Sequence, residues 1–339
     1  MINRRYFVKG GIVAATSLYW SSARAAMTPV RIGQSTISLG FLPVWAARAY
    51  DTFAQQKLDL NWALINGGDP AALAALDSGD IDLAATGGDA VLDAVAKGLP
   101  YRIVYSLMSK FALDMTVSRD FMHRTGASVE QPLDVRIKKL KDAVIGVSVV
   151  GGAQDRTARW MVSKGGLNPT KDVRIVQIGA PAALGAALEN GRIDAFVLTA
   201  PEGQIAKAGG YGTIYIRPEQ DVPECRGMPS LVIVARSDAD EAAKLKIVES
   251  LRALNAGSKA LLADMAGGAE KLRTFFPKIA PDVMRKSLES LADGIKDNGL
   301  LNQSRAELLV KFAVESGRAP PTGPFWTNEY VERALNSSN

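Results

Sequence analysis

A phrase repeated at long range constrains the fold of this chain more than any other feature. The segment Ala75–Asp82 (ALDSGDID) returns 112 residues later as Ala187–Asp194 (ALENGRID). An Ile-Gly-x-Ser phrase precedes each copy, starting at Ile32 and at Ile145, and a threonine follows each copy. This spacing is far longer than the period of about 20–50 residues in solenoid repeats. It predicts one α/β lobe built twice, with a cleft between the two copies.

The pattern of short β-rich runs and longer helical runs supports two such lobes, because this alternation is typical of parallel α/β sheets. Strands are predicted at 30–33, 58–65, 81–85 and 102–106, and again at 144–149, 173–178 and 193–198. Two further strands, 115–118 and 229–235, are predicted to cross between the lobes as a hinge. We therefore predict an α/β fold of two similar doubly wound lobes joined by a two-strand hinge. Lobe I comprises residues 26–116 and 231–339, and lobe II comprises residues 117–230.

The first 25 residues are predicted to be a signal peptide. They combine a basic start, an apolar run over 11–20 and a small-x-small site, Ala23-Arg24-Ala25. The phrase around Arg4 and Arg5 resembles a twin-arginine export signal, with an ordinary secretory signal as the alternative. The apolar run is well short of the ~20 residues that span a bilayer, and no lipobox cysteine follows it. We expect an exported, soluble periplasmic protein without a lipid anchor.

The charge and the scarcity of reactive residues exclude several function classes. Four of the 40 basic residues lie in the predicted signal, so the remainder nearly balance the 35 acidic ones and give no reason to expect nucleic-acid binding. Cys225 is the only cysteine and His123 the only histidine, the latter in a predicted polar loop, so no disulfide, metal site or cofactor is expected. The sequence also lacks a Gly-x-Ser-x-Gly elbow, a phosphate loop and a dinucleotide-binding fingerprint. We do not expect an enzyme.

Loops that follow the predicted strands are the candidate ligand-binding elements, because open α/β sheets bind ligands beyond the carboxyl ends of their strands. These loops are rich in glycine and hydroxyl residues, and three lead directly into helices whose N–H groups favour anions. The candidate residues of lobe I are Ser35, Thr36, Gly40, Phe41, Gly67, Thr86, Gly87, Gly88 and Asp89. Those of lobe II are Ser148, Gly151, Gly152, Ala153, Thr199, Pro201 and Glu202.

Individual side chains in these loops have alternative roles. Glu202 is the candidate partner for a cationic or hydroxyl group of the ligand, whereas Asp89 could instead cap its helix. Phe41 could stack on an organic group or belong to the core. Trp45 and Trp160 are expected to be packing residues. Arg156 could reach an anion, but a solvated helix face is the simpler interpretation of its position.

In the order and spacing of its motifs, the chain resembles the periplasmic solute-binding proteins of nitrate/sulfonate/taurine-type ABC importers. The resemblance covers most of the chain beyond the predicted signal and is carried by Val30–Gly33, Leu76–Asp82 with Thr86-Gly87, Leu140–Gly146 with Gly151–Arg156, and Leu188–Asp194 with Pro201.

This resemblance implies the class II periplasmic-binding-protein fold. It also implies capture of a small organic anion (a sulfonate, a taurine-like compound or an aromatic carboxylate) and delivery to an ABC permease of the inner membrane; we expect a monomer. The alternatives are a thiamine-pyrimidine-type heterocycle binder, a secreted enzyme or a sensory module on the same fold. A thiamine-precursor synthase of this fold has a cysteine-rich motif and an essential histidine, and neither Cys225 nor His123 lies in such a motif.

Overall fold

The computed structural model describes residues 27–336, and the predicted signal peptide lies outside them. The strands of the described part are β1 (Thr28–Gln34), β2 (Leu58–Leu64), β3 (Leu83–Gly87), β4 (Tyr101–Met108), β5 (Asp114–Ser118), β6 (Val144–Val147), β7 (Arg174–Gln177), β8 (Ala195–Leu198), β9 (Gly212–Ile216) and β10 (Leu231–Arg236).

Helices cover both faces of the sheets that these strands form. They are α1 (Leu42–Ala49), α2 (Thr52–Gln55), α3 (Gly68–Asp77), α4 (Gly88–Ala96), α5 (Arg119–Thr125), α6 (Leu133–Lys138), α7 (Ala153–Lys164), α8 (Pro181–Glu189), α9 (Glu202–Ala208), α10 (Pro218–Asp221), α11 (Glu241–Ala263), α12 (Met265–Leu272), α13 (Pro281–Leu291), α14 (Gln303–Glu315) and α15 (Glu329–Asn336). Within the described range, no helix is both long and apolar enough to cross a membrane.

Two five-stranded sheets with the same topology define two lobes. The first has the order β2-β1-β3-β10-β4 and the second the order β7-β6-β8-β5-β9. In each sheet one strand runs antiparallel to its neighbours, β10 in the first and β5 in the second. Strands β3 and β8 are buried along their full length, as expected for short apolar strands that are covered on both faces. The predicted α/β fold of two similar lobes is confirmed.

The repeated aspartates fasten neighbouring strands in the two lobes in the same way. Asp82 donates its N–H to Arg31 O and accepts the Arg31 N–H at Oδ2, at 2.8 and 2.7 Å. Asp194 makes the same pair of bonds with Val144, at 2.8 and 2.9 Å. An arginine completes each arrangement, Arg31 itself in lobe I and Arg124 in lobe II. The aspartate of the repeated segment therefore has a structural role. Its carboxylate extends the pairing of two strands at the point where the loop enters the sheet.

The repeated Ile-Gly phrases are also explained by packing. A Cβ on Gly146 would lie 2.6 Å from Ile193 Cδ1 and 2.7 Å from Leu184 Cδ2. In lobe I, a Cβ on Gly33 would lie 2.6 Å from Ile81 Cδ1. In both lobes the glycine of one repeated phrase thus makes room for the isoleucine of the other.

The crossover between the lobes differs from the predicted hinge of two crossing strands. Strand β5 lies wholly in the second sheet and β10 wholly in the first, so a boundary at residue 116 would divide β5. The chain crosses instead through irregular connectors, residues 109–113 on the way out and residues 222–230 on the return. Hydrogen-bond register explains the difference, because Asp114 to Val117 pair continuously with β8.

The segment over 42–56 forms two helices, α1 and α2, because Asp51 between them adopts a left-handed conformation with φ of 53°. One local prediction also needs correction. The polar loop expected around His123 is instead helix α5, which begins after Ser118, whose hydroxyl accepts the Phe121 N–H at 3.0 Å.

Replacing Gly146 with valine should destabilise lobe II, because the new methyl groups would overlap Ile193 and Leu184. We expect the free energy of unfolding to fall by about 1–3 kcal/mol, measured by urea denaturation. Gly185→Ala is the matched control, since its Cβ would meet nothing closer than the Tyr211 hydroxyl at 3.7 Å. An equal loss in both variants would contradict this account of the repeat.

Candidate functional site

A cleft of about 890 Å³ lies between the two lobes and receives walls from both. Its lining includes thirteen of the sixteen candidate residues: Ser35, Thr36, Phe41, Gly67, Gly87, Asp89, Ser148, Gly151, Gly152, Ala153, Thr199, Pro201 and Glu202. Segments from five places in the chain, each following a strand, therefore meet on one cavity.

Three candidates, Gly40, Thr86 and Gly88, lie behind the cleft wall. A Cβ on Gly40 would lie 2.6 Å from Leu231 Cδ1 and 2.9 Å from Thr199 Cγ2, so this glycine permits a close contact between the lobes. Thr86 is fully buried, and Gly88 donates its N–H to Ser230 O at 3.1 Å. None of the three is among the residues that line the cavity.

An internal carboxylate already occupies the hydrogen-bond donors at the end of β3. Asp69 Oδ1 accepts the Thr86 hydroxyl at 2.8 Å and the Gly87 N–H at 3.1 Å. The predicted anion-binding role of Thr86 and Gly87 therefore has a competitor within the protein. Asp69 itself lines the cleft, and sequence reasoning missed it because it lies in the first turn of α3 and not in the loop after β3.

The corresponding loop of lobe II retains free donors. Gly151 donates its N–H to Asp155 Oδ2 at 2.7 Å, but the buried hydroxyl of Ser148 has no hydrogen-bond partner. Helix α7 begins at Ala153, and the first N–H groups of a helix have no carbonyl partner within it. The hydroxyl of Ser148 and the N-terminus of α7 are therefore available to an acceptor group on a ligand.

A buried ion pair joins the two lobes across the cleft. Arg156 Nε, on α7, donates to Asp89 Oδ2, on α4, at 2.5 Å, and Nη2 lies close to the same oxygen. Both side chains are less than a tenth exposed, and Arg156 also donates to the Gly151 carbonyl. The solvated face expected for Arg156 is therefore wrong, and Asp89 makes no capping hydrogen bond to its helix.

Glu202 differs from Asp69 and Asp89 in its surroundings. It opens helix α9 after the cis Ala200–Pro201 bond, is only partly exposed, and forms no ion pair with any described residue. Burial raises the pKa of its carboxyl to about 7, since removal from water disfavours the charged form. Among the described residues that line the cleft, Glu202 is thus a shielded acid without an ion pair, whereas Glu189 is exposed to solvent.

Aromatic side chains that the sequence did not single out supply much of the remaining wall. Phe111 and Phe312 lie 5.3 Å apart, and each approaches Trp160, at 6.1 and 5.3 Å between ring centroids. Phe275 and Phe276 come from the loop between α12 and α13. No local motif marks these residues, because elements far apart in sequence bring them together.

A cation–π cluster holds that loop against the rest of lobe I. Trp45 packs on Phe275 and Phe276, at 5.6 and 4.9 Å between ring centroids. The Arg48 guanidinium lies 4.3 Å from the Trp62 ring and 4.6 Å from Phe275, contacts that are stabilising when desolvated. The packing role expected for Trp45 and Trp160 is confirmed, since each is 3% exposed.

Both lobes contribute exposed apolar side chains to the cleft lining, beside the exposed polar residues Asn66, Glu189 and Lys278. Ile37 and Leu64 from lobe I and Val149 and Val150 from lobe II line the cavity while remaining 36–53% exposed. Exposed apolar side chains clustered around a cavity are typical of a binding groove.

A single glutamate ties the two connectors together behind the cleft. Glu219 accepts the Phe111 N–H at 2.8 Å from the outgoing connector and the Gly227 N–H at 3.1 Å from the return connector. Ser230 adds two bonds, from its N–H to Met108 O at the end of β4 and from its hydroxyl to Lys110 O in the outgoing connector. The lobes are thus hinged on a pair of hydrogen-bonded segments.

The two residues that could mark a catalytic alternative lie away from the cleft lining. Cys225 is 1% exposed, and burial raises the pKa of its thiol to about 12. His123 is exposed on α5. Across residues 27–336, no three His, Cys, Asp or Glu side chains are grouped so as to hold a metal ion.

Asp89→Asn should favour separation of the lobes, because it leaves the Arg156 charge buried without its partner. We expect a loss of about 3 kcal/mol in the free energy of unfolding and a larger radius of gyration in small-angle scattering. The double variant Asp89→Asn/Arg156→Met should recover much of the stability. Asp134→Asn, which breaks an exposed pair with Lys138, should leave both measurements unchanged.

Glu202→Gln should stabilise the ligand-free protein in a pH-dependent way. Because the pKa of Glu202 is raised from 4.5 to about 7 in the folded state, wild-type stability should fall as pH rises through this window and stay low above it. We expect the variant to match wild type near pH 4 and to exceed it by roughly 2 kcal/mol near pH 8, in urea denaturation. A constant difference across this range would contradict the burial of Glu202.

Comparisons with known proteins agree with this geometry. The model of the NMT1-like family matches residues 25–264. A search of curated proteins finds no match. Three solved structures have the same fold, and the match covers 89–99% of each of those chains. One is a ligand-binding component of an ABC-type import system from Staphylococcus aureus with zinc bound (TM-score 0.69, 16% identity, 91% of this chain and 99% of that one).

The second structure is the periplasmic nitrate-binding protein NrtA from Synechocystis PCC 6803 (TM-score 0.68, 15% identity, 92% of this chain and 89% of that one). The third is the periplasmic aliphatic sulphonate-binding protein SsuA from Escherichia coli (TM-score 0.62, 18% identity, 85% of this chain and 91% of that one). At these identities the likeness shows a shared fold, whereas the family model matches well over half of the sequence. The chain belongs to the NMT1-like family and has the two-lobed fold of periplasmic binding proteins.

Proposed function

We propose that this protein is the periplasmic solute-binding component of an ABC importer, which captures an organic solute between its lobes by hinge closure. The observation that carries the proposal is the large cleft lined by both lobes, bridged by the Asp89–Arg156 ion pair and hinged on two connectors. Closure of hinged lobes around a ligand is a common transition in two-lobed proteins. The structural neighbours include a component of an ABC-type import system and two periplasmic binding proteins.

The size and lining of the cleft favour the larger of the expected ligands. Ligand cavities of about 300–1,000 Å³ commonly enclose drug-sized molecules, and this cleft measures about 890 Å³. The partly exposed rings of Phe275 and Phe276 offer apolar surface to the cleft that a nitrate or taurine molecule would not cover. Among the anions expected from the sequence, an aromatic carboxylate matches this wall best.

The acceptor group of such a ligand has one well-supported location. The unpartnered Ser148 hydroxyl and the N-terminus of α7 lie together on the cleft wall, whereas Asp69 already occupies the donors at the end of β3. We place the carboxylate of the ligand against Ser148, Gly152 and Ala153. The dipole of α7 would favour negative charge there.

The competing classes predict different behaviour. A sensory receptor would close on the same solute but would not support its uptake. An enzyme would need turnover, and the buried thiol of Cys225 and the exposed His123 give that interpretation no support from the cleft.

A ligand screen tests the function directly. Thermal-shift and small-angle scattering measurements with benzoate, benzenesulfonate, taurine and nitrate should show stabilisation and a smaller radius of gyration with the aromatic acids. Loss of uptake of the stabilising solute in a strain without this protein would distinguish import from sensing. If no solute in the panel changes either measurement, the proposed function is wrong.

Gly152→Asp should weaken binding of the aromatic acid by about tenfold or more without unfolding the protein. Gly152 has the extended conformation of a helix N-cap, so the aspartate would bond the free N–H groups of α7 and repel an anion there. Gly152→Ala is the control for the added Cβ, which would lie 3.0 Å from Val149 O. Calorimetry that finds equal affinity in the aspartate and alanine variants would remove this loop from the site.

A further inference from the structure

We propose that the captured solute carries, besides its acceptor group, a nitrogen bearing N–H donors that binds the Glu202 carboxylate. The ligand class is thereby narrowed from an aromatic acid to an aromatic acid with an amine, amidine or similar group. This inference rests on the proposed function, since it concerns a second contact in the same cleft.

The first step is the contrast between Glu202 and the other shielded acids beside the cleft. Asp69 accepts two hydrogen bonds, from Thr86 and Gly87. Asp89 pairs with Arg156, and Asp155 pairs with Arg159 while accepting the Gly151 N–H. Each of these carboxylates is compensated inside the protein. Glu202, which lines the same cavity, has no ion pair among the described residues.

The second step is the environment that closure creates. Glu202 lies on the cavity wall with Ile205 and Tyr211 and is only partly exposed. A carboxylate removed from water is strongly disfavoured unless it is paired and hydrogen-bonded. A solute that fills the cleft displaces the water that serves Glu202 in its absence. The solute must therefore supply the missing donors itself.

The third step identifies the donor chemistry. Lys278 is the one cationic side chain of the cavity lining within residues 27–336, and it is exposed and forms no ion pair with Glu202. No cluster of described ligands accompanies Glu202 to hold a metal ion. A hydroxyl or a nitrogen of the solute could donate to Glu202, but only the nitrogen can also carry the balancing positive charge, and charge-assisted bonds of this type are short and strong. With the acceptor group at Ser148 and α7, the ligand then carries complementary polar groups on an aromatic body.

A pair of probes that differ by one amino group tests this assignment. Calorimetry would compare 4-(aminomethyl)benzoate with 4-methylbenzoate, which shares the ring and the carboxylate but lacks the amine. Wild type should bind the amine-bearing probe about tenfold or more tightly than the methyl probe. In Glu202→Gln this preference should fall at least several-fold, with little change in affinity for 4-methylbenzoate.

The control variant is Glu289→Gln, an exposed glutamate on α13 outside the cleft lining, which should keep the wild-type preference. A melting curve would establish that each variant is folded. Equal affinity of wild type for the two probes, or a preference that survives Glu202→Gln, would overturn the inference while leaving the solute-binding function intact. Failure of both probes to bind or to change the scattering profile would overturn both proposals.

Discussion

The buried pair of Asp89 and Arg156 is the interaction on which the contact between the two lobes depends. Each residue lies in the first turn of a helix on the cleft wall, one in each lobe. An isolated charge in either position would be strongly disfavoured, so each lobe requires the other to compensate its own buried charge. The pair thereby couples the cleft geometry to the relative position of the lobes. In the proposed hinge closure, the connectors held by Glu219 would form the pivot.

The electrostatics of the cleft depend on which backbone N–H groups already have a hydrogen-bond acceptor within the protein. Asp69 and Asp155 take the N–H groups of Gly87 and Gly151, which were natural positions for a bound anion. Such internal carboxylates leave only a few unsatisfied groups facing the cavity. The Ser148 hydroxyl is one and the Glu202 carboxylate is another. The hydroxyl lacks a hydrogen-bond acceptor, whereas the carboxylate lacks a donor. Selectivity in this site would then come from the few groups that remain unpaired within a largely aromatic wall.

Much of the architecture was predictable because its signals are local and periodic. The alternating strand and helix patterns predicted both lobes, and the strand-end rule predicted most of the loops that meet at the cleft. The hinge was harder to predict from the sequence. The connectors over 109–113 and 222–230 contain no periodic pattern, and the position of the crossover depends on the hydrogen-bond register of β5 with β8. Side-chain partners were also unpredictable, since the pairing of Asp89 with Arg156 spans 67 residues of sequence.

The repeated phrases show where the sequence alone was sufficient. Their isoleucines, glycines and aspartates determine the same strand pairing twice, because each contact is made within one lobe by residues whose spacing the chain sets directly. The arrangement of the binding surface could not be predicted in this way. Asp69 at Thr86, Phe275 beside Trp45 and the isolation of Glu202 all arise from contacts, or the lack of them, between distant elements. The sequence determined two lobes and a cleft. Only the tertiary structure decided which polar groups in that cleft lack a hydrogen-bond or ion-pair partner, because the partners of each group depend on all the residues that surround it.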